Sequence, residues 1–355
     1  MKQDTVSAAV PTIGLDLGDS VCTLCRADAK GHLSDAGTVP TRRAAMRAYF
    51  AKLPPSRVVL EASLQSNWIA GLLEELGHEV HVINPRQLKL IAQSMSKTDR
   101  NDARILARIG RADLGLLRPT YRHGRESLKA RALLNARRNL VQVRTRLVNS
   151  VRSCAKVFGH ALRSGAVENF ETIAARGLPA ELLAIVKPQM QCIASIAEQI
   201  DGYDKEIERL GEEAFPQTNL LRQIHGVGPQ VSLAFVAAIE EPSRFKRSRD
   251  VGPYLGLTPR RDQSGEKDPV LPITKQGDGS LRSLLVTAAT HILRKSAPDS
   301  DLKRHGQRVA KGRTSKDRGR ARVAVARKLA VVMHRLLLTG EVYKPLHVSG
   351  DKAAT

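Results

Sequence analysis

The sequence predicts an α/β domain at its N-terminal end, a basic helical and coiled-coil segment in the middle, and a mostly α domain at its C-terminal end. Three observations predict it. Strand-like and helical apolar runs alternate over residues 12–112. From about 120 to 213 the apolar spacing is helical and the first part is strongly basic. Beyond 219, glycine-punctuated turns separate further helical runs. The expected divisions are 10–115, 116–215 and 216–345, in keeping with roughly 100–200 residues per domain.

The elements follow in order. TIGLDLG at 12–18, VCTLCRA at 21–27 and a run near 33–39 read as three successive strands. TRRAAMRAYFAKL at 41–53 reads as a helix with Thr41 as its N-cap. A strand (57–62), a helix (66–76) and a strand ended by Pro85 come next, then helices at about 86–94 and 97–112. A three-strand meander followed by right-handed crossovers is the wiring of a ribonuclease H-like sheet. Ile193, Ile196, Ile200, Tyr203, Ile207 and Leu210 alternate spacings of three and four. That heptad seam suits a short coiled coil between chains or a packed hairpin within one, in equal measure. A final helix is expected near 321–338.

Charge narrows the function. The chain carries 57 Lys+Arg against 35 Asp+Glu, a formal net charge of +22, which calls for a polyanionic partner. The excess is local: net −1 over 1–85, +14 over 86–160, −2 over 161–302 and +11 over 303–335. Both basic blocks also carry helical apolar spacing, so they predict helices with one apolar and one cationic face, suited to phosphate rows. Arg137, Arg138 and Arg144 are the candidate contacts in the first block. Aromatics make up only 3%, which disfavours a binder that works mainly by stacking bases. No apolar window spans a membrane and no secretory signal opens the chain, so a cytoplasmic, nucleoid-acting protein of bacterial type is expected. Four cysteines are too few for a disulfide framework, and Cys22 and Cys25 are expected to be inert thiols rather than a zinc site.

Four carboxylates stand out. Asp16 interrupts an apolar strand beside Ile13, Leu15 and Leu17, and Glu61 ends a strand after Val58, Val59 and Leu60. Asp99 and Asp102, three apart on an expected helix, share one face. Each alone has an ordinary explanation as a turn, an ion pair or a cap. Together they suit one or two Mg²⁺ ions, with Mn²⁺ as a substitute, because metal-dependent phosphoryl transfer needs hard oxygen ligands converging on a shared point. GLDLG also opens actin-like ATPases and sugar kinases, but the only later candidate for their second phosphate motif, at 277–279, follows no strand. In I-H-G-V-G-P, Gly226 and Gly228 read as the turn of a helix–hairpin–helix, whose backbone N–H groups approach a phosphate.

The chain resembles the DEDD transposases of the bacterial insertion sequence 110 family, especially its 1111 group, kin to the Piv invertase. IGLDLG, VVLEAS, NPRQLK and KTDRNDARILA carry the resemblance in the first half, and IHGVGP, RDVGPYLGLTPRRDQSG and ITKQGDGSLRSLL in the second. Where the family often shows Arg-x-Gly, this chain has Asp268-Pro-Val-Leu-Pro272. The resemblance implies a RuvC-type fold with Asp16, Glu61, Asp99 and Asp102 as metal ligands. It implies Ser264, otherwise an ordinary turn residue, as the nucleophile of the C-terminal domain. Lys267 and Lys275, or Arg260 and Arg261, would then steady the reacting phosphate. It further implies double-stranded DNA at element ends and target, a structured guide RNA, and a homo-oligomer, dimer or tetramer. The competing readings are a Holliday-junction-type endonuclease using the carboxylates alone, and a non-catalytic DNA-binding protein whose carboxylates are merely ion-paired.

Overall fold

The computed structural model describes residues 10–85, 98–112, 120–165, 167–264, 269, 271–312 and 314–346. The chain divides into two compact units, Met1–His123 and Gly124–Thr355.

The first unit is built on a five-stranded mixed sheet of order β3-β2-β1-β4-β5. Its strands are β1 (Thr12–Asp16), β2 (Val21–Ala27), β3 (Leu33–Pro40), β4 (Arg57–Glu61) and β5 (Glu79–Ile83). β1, β2 and β3 form the expected antiparallel meander, and β4 and β5 add parallel to β1. Among the described residues its helices are α1 (Arg43–Phe50), α2 (Ser66–Glu75) and α3 (Asp99–Ala112). Strand alternation sorts the side chains to two faces. Ile13, Leu15, Val58 and Leu60 share a core with Met46 and Phe50 of α1 and Ile69 and Leu73 of α2. Val59 packs with Leu106 of α3, and Cys25 with Ala103 and Ala107. Cys22 joins the first face and Cys25 the other, so the C-x-x-C spacing serves packing on two sides of one strand.

Thr41 does not cap α1. Its hydroxyl donates to the Gly18 carbonyl at 2.8 Å and lies 3.3 Å from Cys22 Sγ, and the helix starts after Arg42 without a side-chain cap. Thr41 is spent on tying β3 to the turn after β1. The expected helix at 86–94 lies outside the described residues.

The second unit is helical. α4 (Arg125–Val157) and α6 (Ala180–Ala214) pack along each other, with the short α5 (Phe170–Gly177) between them in sequence. The heptad seam is used within the chain: Ile193, Ile200 and Ile207 are buried on the hairpin. The hairpin has two cores. Val148, Val151, Phe170 and Val186 form a distal one. Ala130 and Ile207 at its base join the core of the C-terminal helices, so the expected segment 116–215 is not a separate body at that end. The C-terminal helices are α7 (Thr218–Arg222), α8 (Pro229–Ile239), α9 (Val251–Tyr254), α10 (Gly279–Ile292), α11 (Asp301–Val309) and α12 (Ser315–Thr339). α8 is buried from Val231 to Ile239, as a helix apolar on all sides must be. α12 starts six residues earlier than its apolar pattern, because Thr314 and Asp317 form a capping box.

Candidate active site

Alternation along the strands places the first two carboxylates. Asp16 has the parity of Thr12 and Gly14, and Glu61 that of Val59, so both belong to the face that carries α3. Leu15 pairs with Leu60 across parallel strands, and Asp16 and Glu61 stand one residue beyond that pair. They share the carboxyl end of the sheet.

α3 supplies the other two by lying directly on the backbone of β1. A Cβ on Gly14 would fall 2.0 Å from the Ala103 carbonyl oxygen and 2.4 Å from the Ala107 nitrogen. A Cβ on Gly110 would fall 2.3 Å from Val59 Cγ2 and 3.2 Å from Thr12 Cγ2. Two glycines on facing elements thus remove the spacer that side chains would impose. Gly110 lies near Thr12 while Ala103 lies over Gly14, so the helix runs back along the strand with its first turn toward Asp16. That turn holds Asp99 and Asp102.

The charges register this convergence. Asp16 has its pKa raised to about 6, first by burial, then by the charges of Asp102, Asp99 and Glu61, against one backbone hydrogen bond from Leu17. Two arginines that flank Asp99 and Asp102 on α3 are turned to another acid. Arg104 makes a two-pronged pair with Asp35 at 3.0 and 3.1 Å, and Arg100 lies 3.7 Å from the same carboxylate. Among the described residues no three His, Cys, Asp or Glu side chains are closed around a common point as a metal cage. The four carboxylates share a field instead. A hard oxygen set whose members repel one another fits a divalent cation, which would relieve the repulsion.

Two outcomes follow from this geometry. Asp16 holds its proton in the folded chain at pH values where the unfolded chain has released it. Stability in EDTA should therefore fall as pH rises from about 4 to about 6 and stay low above. Asp16→Asn cannot ionise, so melting curves should show it level with the native chain at pH 4. It should be about 1–3 kcal/mol more stable at pH 7.5, and a variant no more stable there would contradict the assignment. Gly14→Val should lift α3, cost roughly 1–3 kcal/mol of stability, and abolish any rise in melting temperature on adding Mg²⁺ or Mn²⁺. A preserved metal response would show that close seating of α3 is not needed.

In the second unit Ser264 lies, exposed, on a loop whose base is tightly made. Pro259 bridges to Ile273, Arg260 N–H donates to the Pro272 carbonyl, and Thr274 N–H to that of Thr258. Below this the chain crosses itself backbone to backbone. A Cβ on Gly256 would meet Gln276 oxygen at 2.2 Å, and one on Gly277 would meet the Tyr254 oxygen at 2.1 Å. Lys275 is held at φ 54° between them, an uncommon conformation for a residue with a side chain. Arg282 donates to the carbonyls of Leu255 and Gln276 at 3.0 and 2.9 Å, clamping both strands of the crossing. YLGLTPR, ITKQG and LR are thus parts of one loop base. Arg260, Arg261 and Lys275 are exposed around it. Lys267 lies outside the described residues.

The other candidate contacts are placed unevenly. Arg138 is exposed on α4. Arg137 instead forms a two-pronged pair with Asp204 of α6 at 2.6 and 2.8 Å, and Gln230 donates to the same carboxylate; its charge locks the hairpin. Arg144 is half-buried, with its Nε out of water and lacking a hydrogen bond. Gly226 has φ +86°, and a Cβ there would lie 2.9 Å from the Ala288 carbonyl oxygen, so its bare side faces α10. Gly228 opens α8 with nothing within 4 Å of a Cβ, leaving room for a close approach.

Comparisons with known proteins agree with these motifs. Residues 13–158 match a DEDD transposase family model of the IS110 type, and residues 218–305 match the transposase IS116/IS110/IS902 family. The transposase for insertion sequence element IS1111A of Coxiella burnetii is 28% identical over 94% of this chain and 92% of that protein. The transposase-type protein y4pF/y4sB of Sinorhizobium fredii is 31% identical over 85% of this chain and 78% of that protein. Among solved structures, T. thermophilus RuvC in complex with Holliday junction substrate aligns with 31% of this chain and 99% of that one, at 15% identity and a TM-score of 0.24. With the carboxylate field in the first unit and the clamped loop in the second, both matched segments carry the family's motifs, and the chain belongs to the IS110/IS1111 family of DEDD transposases.

Proposed function

We propose that the protein is a Mg²⁺-dependent DNA recombinase that cuts and rejoins the ends of its element, with Asp16, Glu61, Asp99 and Asp102 as ligands and Ser264 as nucleophile. The observation that carries this reading is the seating of α3 on Gly14, which gathers four carboxylates where their charges oppose one another. Mg²⁺, or Mn²⁺ in its place, would supply Lewis acidity at the reacting phosphate. The chain's own part is to hold the ligand oxygens and to deliver the serine.

At Ser264 the hydroxyl oxygen forms a bond to phosphorus and one bridging P–O bond breaks. The leaving strand end takes up a proton as a free hydroxyl, and the phosphodiester energy is retained in a phosphoserine link for the reverse attack. Lys275 with Lys267, or Arg260 with Arg261, would bind the phosphate oxygens as charge builds. Arg138 and the open turn at Gly228 are read as backbone contacts. Double-stranded DNA at element ends and target is the substrate. A structured RNA from the element is read as the guide, and a dimer or tetramer as the working form in the cytoplasm. Among the described residues no helix is long and apolar enough to cross a membrane.

The test is a denaturing protein gel after incubation with element DNA, the element's RNA and Mg²⁺ or EDTA. A covalent protein–DNA band in Mg²⁺ alone is the expected result. Cut ends without the band would make the chain a carboxylate-only nuclease, and intact DNA would make it a binding protein.

A further inference from the structure

A groove of about 900 Å³ opens in the second unit between the base of the Ser264 loop and helices α11 and α12. Its floor is aliphatic: Leu257 and Ile273 from the loop base, and Val323, Ala324 and Val331 from α12. The charged groups around it are all basic among the described residues: Lys316, Arg320, Arg327 and Lys328 on α12, with His305 on α11. They lie on the face of α12 that also carries the floor. Lys316 to Arg327 spans about 16 Å at 1.5 Å per residue.

Among the described residues none of these four lysine and arginine side chains closes an ion pair, and only Asp317 feels the charges of Arg320 and Lys316, which, after its hydrogen bonds with Thr314, help lower its pKa. The nearest acid on the same helix, Asp317, turns its carboxylate to Thr314, at 2.6 Å from the hydroxyl and 3.3 Å from the backbone nitrogen. His305 has its pKa lowered, by burial first and then by the charges of Lys328 and Arg308.

An occupant must therefore bring an apolar face for the floor and a row of negative charges for the rim. A base-paired duplex offers the charges but keeps its bases stacked inside. A lone carboxylate is too short for a 16 Å row. We propose that this groove receives an unpaired nucleotide of the nucleic-acid partner, its base on the aliphatic floor and its flanking phosphates along Lys316, Arg320, Arg327 and Lys328. Base-flipping enzymes hold extruded bases between apolar as well as aromatic side chains, so the scarcity of aromatics in this chain is no obstacle for a single base. The groove's wall is the base of the loop that presents Ser264, so filling it would fix that loop against a strand whose pairing is locally open. The inference rests on reading the chain as a nucleic-acid enzyme and adds the form of strand it selects.

The test uses the full chain in EDTA, where nothing is cut, and two labelled duplexes. One carries a single-nucleotide bulge, and the other carries the same bulge as an abasic residue. The native chain should bind the base-bearing bulge about tenfold more tightly, the scale of one base moved onto an apolar surface. Ala324→Phe, which fills the floor, should abolish that preference while leaving affinity for the abasic probe within about twofold. Lys316→Ala with Arg320→Ala, both exposed, should weaken both probes together and keep the preference. No preference in the native chain would overturn the proposal, as would a preference that survives Ala324→Phe. Loss of the preference to a competing acidic amphipathic peptide, with abasic binding unchanged, would make the groove a peptide site instead. If the chain bound neither probe with the element's RNA present or absent, the reading as a nucleic-acid enzyme would fail, a result distinct from equal binding of the two.

Discussion

Alanine in place of Asp16, Glu61 or Asp102 is expected to reduce strand cleavage by roughly 10²–10³-fold or more, the scale of a lost transition-state charge contact. Affinity for DNA and RNA should stay within about threefold. The separation of effects follows from where charge lies. Asp16 and Glu61 lie in the segment of net −1 over residues 1–85, and Asp102 is one of only four acids in 86–160, while the basic excess comes from the Lys and Arg side chains of 86–160 and 303–335, which these substitutions leave in place. Removing an acid leaves the phosphate contacts untouched or slightly strengthened. It also relieves the repulsion that burial and the neighbouring acids impose on Asp16, so the inactive variants should melt no lower than the native chain in EDTA. That combination distinguishes metal ligation from a structural role, in which loss of activity would track loss of stability. Rates by all three variants within tenfold of native in Mg²⁺ would remove the ligand assignment.

Ser264→Ala should eliminate the covalent protein–DNA band and all rejoined product, with cleavage by any other route left at background. The loop should survive the change. Its conformation is set by the Pro259–Ile273 bridge and the Gly256–Gly277 crossing, and Ser264 is exposed. The variant should therefore melt within about 0.5 kcal/mol of the native chain, as exposed substitutions do, and should bind DNA and Mg²⁺ as before. A band that persists in Ser264→Ala would move the nucleophile elsewhere. Ser264→Cys should retain a trace of attachment, because a thiolate attacks but is a poorer match to a hard phosphoryl centre.

Much of this was legible in the sequence because it depends on local periodicity. A strand that carries Asp16 among Ile13, Leu15 and Leu17 announces a carboxylate with a task, and the meander-then-crossover order gave the sheet. What was not legible depends on partners distant in the chain. Gly14 and Gly110 matter only once α3 lies on β1. Arg137 looks like a phosphate contact until Asp204, 67 positions away, is placed beside it. Gly226 and Gly228 read alike in I-H-G-V-G-P, yet one faces α10 and the other faces open space. The heptad seam on α6 included the buried Ile193, Ile200 and Ile207, but its other members, Ile196, Tyr203 and Leu210, stay half-buried, and it did not show that α4 would be the partner. Ser264 carries no local signature at all, and its role came from resemblance.

The hairpin of α4 and α6 has a consequence of a different kind. Its distal lobe is held by its own core, and its base by the core of the C-terminal helices. Between them, Ile200 is the buried member of the α6 seam. The two legs therefore behave as a spacer with a seven-residue pitch. Trimming one heptad from each leg would keep Ile193 and Ile207 in register and leave both cores whole. The arm's reach can change by a heptad while the packed cores at either end keep their shape. Length in this arm is a heritable dimension, adjustable in steps of about 10 Å without refolding anything it connects.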